Sequence, residues 1–212
     1  MEIIRLIGNH ADMPLPHQLL ISWLKGYKRP NDKISELIAQ GFLESIKKGL
    51  YIAGPAATEK KPDTLLLANH LLGPSYISLE TALSFHGMIP ERVYEISSMT
   101  TKAPRTFKTV MGLFTYTSLP LPYYSFGLNM LQLSSKHNAI VASPEKALCD
   151  KIISTSGLTL RSMRTALEYL VDDMRMEEST LKDLDTQMIR EWLYIAPKKD
   201  SLLMVTKMIE QL

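Results

Sequence analysis

Apolar positions recur at helical spacing in two short runs near the start of the chain. Residues 16 to 24, "PHQLLISWL", read as an apolar helix. In "NDKISELIAQ", Ile34, Leu37 and Ile38 share one face and predict a second helix packed on the first. That packing leaves Asp32, Lys33, Ser35 and Glu36 outward or flanking. Between the two helices "KGYKRP" carries Gly26 and Pro30 and predicts a turn. Asn31 is the expected N-cap of the second helix, and Gly41 its expected end. The period then changes. Phe42 to Ile46 and Leu50 to Ala53 are short strand candidates joined through "KKG", where Gly49 can supply the positive φ of a tight hairpin. Helix, turn, helix and hairpin follow one another in the order of a winged helix-turn-helix.

The stretch Ala53 to Asp63, "AGPAATEKKPD", has no hydrophobic periodicity and predicts a linker. Beyond it, Leu65 to Leu72 is an apolar helical run. Residues 76 to 156 mix short helices with strand-like runs, of which "RVYEISSMTT" and "LFTYTSL" are rich in β-branched and aromatic residues. Ser143 and Pro144 supply an N-cap and a first helical residue for "EKALCDKII". From Thr159 the pattern is almost entirely helical, with Asp200 and Ser201 as expected caps of a last helix. The expected architecture is α+β. An N-terminal winged helix-turn-helix spans 1–56, and a mixed α/β domain spans 64–212, with an α/β core over 64–156 and a helical tail over 157–212.

With 212 residues and 45% hydrophobic positions, the chain can build real cores. Its net charge of +2 means that any basic surface must be local. One such region exists: Lys25, Lys28, Arg29, Lys33, Lys47 and Lys48 face only Asp32, Glu36 and Glu44 within residues 25–48. On a duplex, Lys47 and Lys48 at the hairpin tip would meet phosphates, flanked by the basic turn residues Lys28 and Arg29. Asn31, Lys33 and Ser35 would lie near base edges. The plainer reading is a solvated hairpin tip, or a helix-turn-helix that binds protein. A single cysteine, Cys149, excludes an intrachain disulfide and suits a reducing compartment. "MEIIRLIGNHADM" does not read as a signal peptide, and no apolar run reaches membrane-spanning length. A soluble, cytoplasmic protein is expected.

Catalytic chemistry finds little support. His86 and Glu91 flank "HGMIPE", with Glu80 six residues before His86, but no second histidine is near and zinc needs three or four ligands. Cys149 reads as a small buried hydrophobe. No Gly-rich phosphate loop or nucleophile elbow occurs. The expectation is a protein without catalytic residues, metal or cofactor. "TTKAPRTFK" places Lys102, Arg105 and Lys108 on a loop between strand candidates, where they could touch phosphate, RNA or a partner, or simply be solvated. Tyr123, Tyr124 and Phe126 are expected to close the core, with a partner surface as the alternative.

Three blocks together resemble a known family. "NDKISELIAQGFLESIKKGLYIAGP", "PSYISLETALSFHGMIPERVYEISSMTT" and "NAIVASPEKALCDKII" are similar to stretches of AbiEi-type antitoxins of type IV toxin–antitoxin systems. The resemblance covers most of residues 15 to 155. It implies an N-terminal winged helix that binds inverted repeats in operator DNA and represses its own operon. It also implies a C-terminal domain that neutralises a nucleotidyltransferase-like toxin, in several members without a stable complex. One position departs from the family pattern. Where a basic residue is expected in mid-helix, as in "ISRL", this chain has "ISEL" and so Glu36. A carboxylate beside phosphates weakens binding, although it can accept a hydrogen bond from cytosine N4.

Overall fold

The computed structural model describes residues 2–212. Helix α1 (Glu2–Asn9) buries Ile3 and Ile7, one turn apart. Strand β1 (Leu15–Pro16) leads into α2 (His17–Trp23), and a turn leads to α3 (Pro30–Ala39). The hairpin follows as β2 (Leu43–Lys47) and β3 (Leu50–Ala53), and β1 joins it in an antiparallel sheet of order β1-β3-β2. Helix α3 starts two residues earlier than expected. Arg29 holds the N-cap position, Pro30 is the first helical residue, and Asn31 lies inside the first turn, its carbonyl accepting from Ser35 Oγ at 3.2 Å. Proline suits that first position because its missing N–H has no helical partner to lose. At the other end Gly41, at φ +75°, closes the helix. The Phe42 N–H reaches the Leu37 carbonyl at 2.9 Å, and the Gly41 N–H reaches Ile38 at 3.0 Å, which satisfies two orphan carbonyls.

The second unit opens with α4 (Thr64–Leu71), capped by Asp63, whose carboxylate accepts from the Leu65 N–H at 2.7 Å. Then come β4 (Ser75–Ile77), α5 (Leu79–Phe85), β5 (Ile96–Thr100), β6 (Arg105–Thr109), β7 (Gly112–Ser118), β8 (Leu128–Gln132), β9 (Asn138–Ala142) and α6 (Pro144–Ser154). The six strands form one mixed sheet of order β6-β7-β5-β4-β9-β8, parallel at β5/β7 and β4/β9 and antiparallel elsewhere. The segment expected as a basic loop is therefore β6, an edge strand from Arg105 onward; only Lys102 sits in a turn. The tail comprises α7 (Met163–Leu167), a π-helical turn (Glu168–Asp173), α8 (Glu178–Lys182), α9 (Thr186–Trp192) and α10 (Lys199–Ile209). The expected cap of α10 is corrected. Asp200 and Ser201 lie within its first turn, and Ser201 Oγ instead accepts from the Leu160 N–H at 3.0 Å. The described residues thus form a mixed α/β fold of ten α-helices and two sheets, in keeping with an α+β class.

Two buried clusters meet at the hairpin. The smaller joins Ile3, Ile7, Leu15, Leu20, Leu24, Ile34, Leu37, Leu43 and Ala53. The larger runs through the second unit and takes in Ile46, Leu50 and Ile52 of the hairpin. Alternation along β2 and β3 explains the split, since successive side chains point to opposite faces. A register shift between Ser45 and Lys47 leaves Ile46 as the extra residue and sets Lys47 opposite Leu50. The hairpin therefore contributes to both clusters, just ahead of the 53–63 stretch. That stretch is tied down. Lys61 Nζ donates to the Glu44 carboxylate at 2.6 Å and to the Ala53 carbonyl at 3.0 Å. A second link joins Asp12 of the first unit to His137, before β9, at 3.6 Å. At Gly54 a Cβ would lie 2.1 Å from the Gly41 carbonyl oxygen, so only glycine permits this approach.

Candidate nucleic-acid interface

The residues that the sequence singles out on and before α3 are surface residues. Lys28, Arg29, Asn31, Ser35 and Glu36 are exposed, and Lys33 is half-buried. Together Tyr27, Lys28, Arg29, Asp32, Lys33 and Glu36 line a shallow depression. Its charges are largely paired. Arg29 lies 3.7 Å from Asp32, and Lys33 Nζ donates to Glu36 at 2.8 Å. Gln40 Nε2 also donates to Glu36, at 3.1 Å. The Lys33 hydrogen bond holds the Glu36 carboxyl below its usual range. Glu36 thus occupies the cation that would otherwise face a partner.

The hairpin differs from expectation at one lysine. Lys47 is the last residue of β2, not a turn residue, and only Lys48 and Gly49 (φ +82°) form the tip. Lys48 is exposed. Lys47 is half-buried and points back into the larger unit, where its Nζ donates to the Leu71 carbonyl at the end of α4, at 2.5 Å. Burial lowers the Lys47 pKa, and the positive charges of Arg105 and Lys102 lower it further. The structure therefore brings together residues that the sequence assigned to separate surfaces. Arg105 and Lys102 are exposed beside Lys47, and the Arg105 guanidinium lies 5.0 Å from the Phe107 ring centre. Strand alternation sends Lys108 to the opposite face of β6, away from this group.

Sequence reading missed the most buried polar group of the fold. On α6, Lys146 and Asp150 are both fully buried and form an ion pair at 3.1 Å. Tyr76 and Ser78, at β4 and just after it, each donate a hydroxyl to Asp150 at 2.8 Å. Lys146 Nζ also donates to the Tyr123 carbonyl at 3.0 Å and lies 3.4 Å from the centre of the Tyr123 ring. The i, i+4 spacing in "SPEKALCD" was visible, but its burial was not. Cys149 is buried as expected, and burial raises its pKa to about 12. Of the Pro–aromatic cluster, Tyr123 is fully buried and Tyr124 and Phe126 pack partly buried against the same core.

His86 sits at the C-cap of α5, its Nε2 2.8 Å from the Ala142 carbonyl. Glu80, Glu91 and Glu95 border two small adjoining depressions with Val93, Ser97 and Asp173. Three of these carboxylates are engaged, Glu80 by Lys151, Glu91 by Arg175 and Glu95 by Thr115. Among the described residues no three His, Cys, Asp or Glu side chains group in a way that could hold a metal ion. No helix among them is long and apolar enough to cross a membrane.

No family model matches this chain, and no curated protein matches it in sequence. Among solved structures, the RV2827C protein from Mycobacterium tuberculosis superimposes with a TM-score of 0.61, over 98% of this chain and 78% of that one, at 16% identity. At that identity the likeness establishes a shared fold.

Proposed function

We propose that this chain is a cytoplasmic antitoxin and transcriptional autorepressor of the AbiEi kind, whose first unit is a winged helix-turn-helix that reads operator DNA. The observation that carries the reading is the order α1-β1-α2-α3-β2-β3 closed by a three-stranded sheet, with an exposed basic turn before α3. In that arrangement α3 would enter the major groove and Lys48 would reach a phosphate. Asn31 and Ser35 stand on the exposed side of α3, as base readers must. The larger unit would neutralise a nucleotidyltransferase-like toxin. Neither role assigns a reacting group, cofactor or metal to the chain. The test is a gel shift on the duplex upstream of its own gene, together with growth rescue from a nucleotidyltransferase encoded beside it. Specific retardation and rescue are expected; a folded protein that shifts no duplex and rescues no cell removes the proposal.

One observation favours a second reading, a protein-interaction module that no longer reads DNA. Asp32 and Glu36 engage Arg29 and Lys33, a turn cation and a cation of α3 that DNA reading would need free. Rescue without any duplex binding would select it.

A further inference from the structure

We propose that Lys47, Lys48, Lys102 and Arg105 form one phosphate-binding strip that carries the DNA interface from the hairpin onto the edge of the larger sheet. This rests on the DNA-reading proposal above and extends it to residues of the second unit. Like charges held close together repel, and an anion among them offsets the repulsion. None of these four residues forms an ion pair with a carboxylate among the described residues, so the group keeps its charge uncompensated. Lys47 is close enough to Arg105 and Lys102 for both to disfavour its charge. An anion laid across the group would relieve that repulsion.

The strip is also held in shape. Helix α4 grips both of its parts within one turn. The Leu71 carbonyl accepts from Lys47 at 2.5 Å, and the Ala68 carbonyl accepts from the Tyr116 hydroxyl at 2.6 Å. Tyr116 is the cross-strand partner of Arg105, so α4 sets the spacing between the hairpin tip and the start of β6. The end of a helix carries partial negative charge, which favours the Lys47 ammonium there. The exposed charges of Lys48, Lys102 and Arg105 then stand around a fixed one. A regular polyanion such as the duplex backbone matches a strip of fixed charges. Contacts of this kind position a protein and carry no sequence information. The bland alternative is that charge on β6 merely guards a sheet edge against pairing.

The experiment uses the full chain, with Lys102→Gln/Arg105→Gln as the test variant, Lys102→Glu/Arg105→Glu as a charge-reversed second and Lys108→Gln as the opposite-face control. Binding to the upstream duplex and to a scrambled duplex is measured across a salt series. Each lost phosphate contact should lower the slope of log affinity against log salt by roughly 0.9. The double glutamine variant should therefore lose about one to two units of slope on both duplexes. Over a fourfold rise in salt it should lose about tenfold less affinity than the unmodified protein. Lys108→Gln should change neither. If the unmodified protein binds no duplex, the underlying reading fails and the strip with it. If it binds and the folded double variants keep the same slope and affinity, the strip alone is refuted. Unchanged DNA binding with loss of toxin rescue would likewise refute it and assign Lys102 and Arg105 to the toxin.

Discussion

Lys146 and Asp150 stand one helical turn apart on α6 and neither reaches solvent. Their pairing is completed by Tyr76 and Ser78 on the carboxylate and by the Tyr123 carbonyl on the ammonium. Removing one partner strands the other charge in the core, a loss of about 3–5 kcal/mol. Lys146→Met and Asp150→Leu should each lower the unfolding free energy measured in urea by that amount. The double variant Lys146→Met/Asp150→Leu should lose much less than the sum, because no charge is left alone. Simple additivity in the unfolding curves would contradict this account.

Between those two residues in the same helix, Cys149 offers a probe of opening. Its thiol is buried and its pKa is raised to about 12 by that burial. A chromogenic disulfide at pH 8 should label it only as fast as the helix opens, and at once in urea. Rapid stoichiometric labelling of the native protein would mean that α6 is loose.

Acid should loosen the seam between the units. Partial burial works to raise the Asp12 pKa, but its own backbone amide, Lys60 and His137 hold it below the ordinary value. A carboxyl lowered in the folded state contributes stability above its unfolded pKa of about 4, and that contribution is lost as pH falls through the folded value. Asp12→Asn should therefore flatten the fall of stability below about pH 4. Equal acid sensitivity in variant and parent would remove Asp12 from the seam.

Glu36 engages Lys33 at 2.8 Å on the exposed side of α3. On the DNA-reading proposal, Glu36→Gln frees that ammonium and removes a repelled charge. Affinity for any duplex should rise, and the salt slope should steepen by roughly one contact. Fluorescence anisotropy on operator and scrambled duplexes gives the answer; weaker binding to the operator alone would instead make Glu36 a base reader.

Leu50 belongs to the larger core although it lies in the hairpin. Leu50→Ala should cost about 2–5 kcal/mol. Trp23 in the first unit and Trp192 in the second should report the loss at one shared midpoint. A piece starting at residue 65 would lack the hairpin residues Ile46, Leu50 and Ile52 and should fold poorly, so toxin rescue is better tested with point variants of the whole chain. Two separate tryptophan transitions would show independent units.

Much of this fold is legible locally. The α2 and α3 runs, the β2–β3 hairpin, the Ser143 cap and strands β5 and β7 follow from period, turn residues and caps within a few positions. Strand β1 does not, because two residues become a strand only by pairing with β3. The basic stretch from Lys102 reads as a loop because Pro104 and its charges hide a strand whose Arg105 and Phe107 share a face. Lys47 reads as a free tip because its partner, the Leu71 carbonyl, lies 24 positions on in sequence. Lys146 and Asp150 were in view at helical spacing, but their burial depends on β4 and Tyr123, which no local pattern places beside α6.

One hairpin serves both cores. A reader mounted on a flexible tether adapts to its operator; this one would not, since α4 and the shared cores hold the hairpin and β6 at a set separation. On the DNA-reading proposal, any misfit of shape would have to be absorbed by the duplex. Base steps that bend readily would then be preferred even where no side chain touches them.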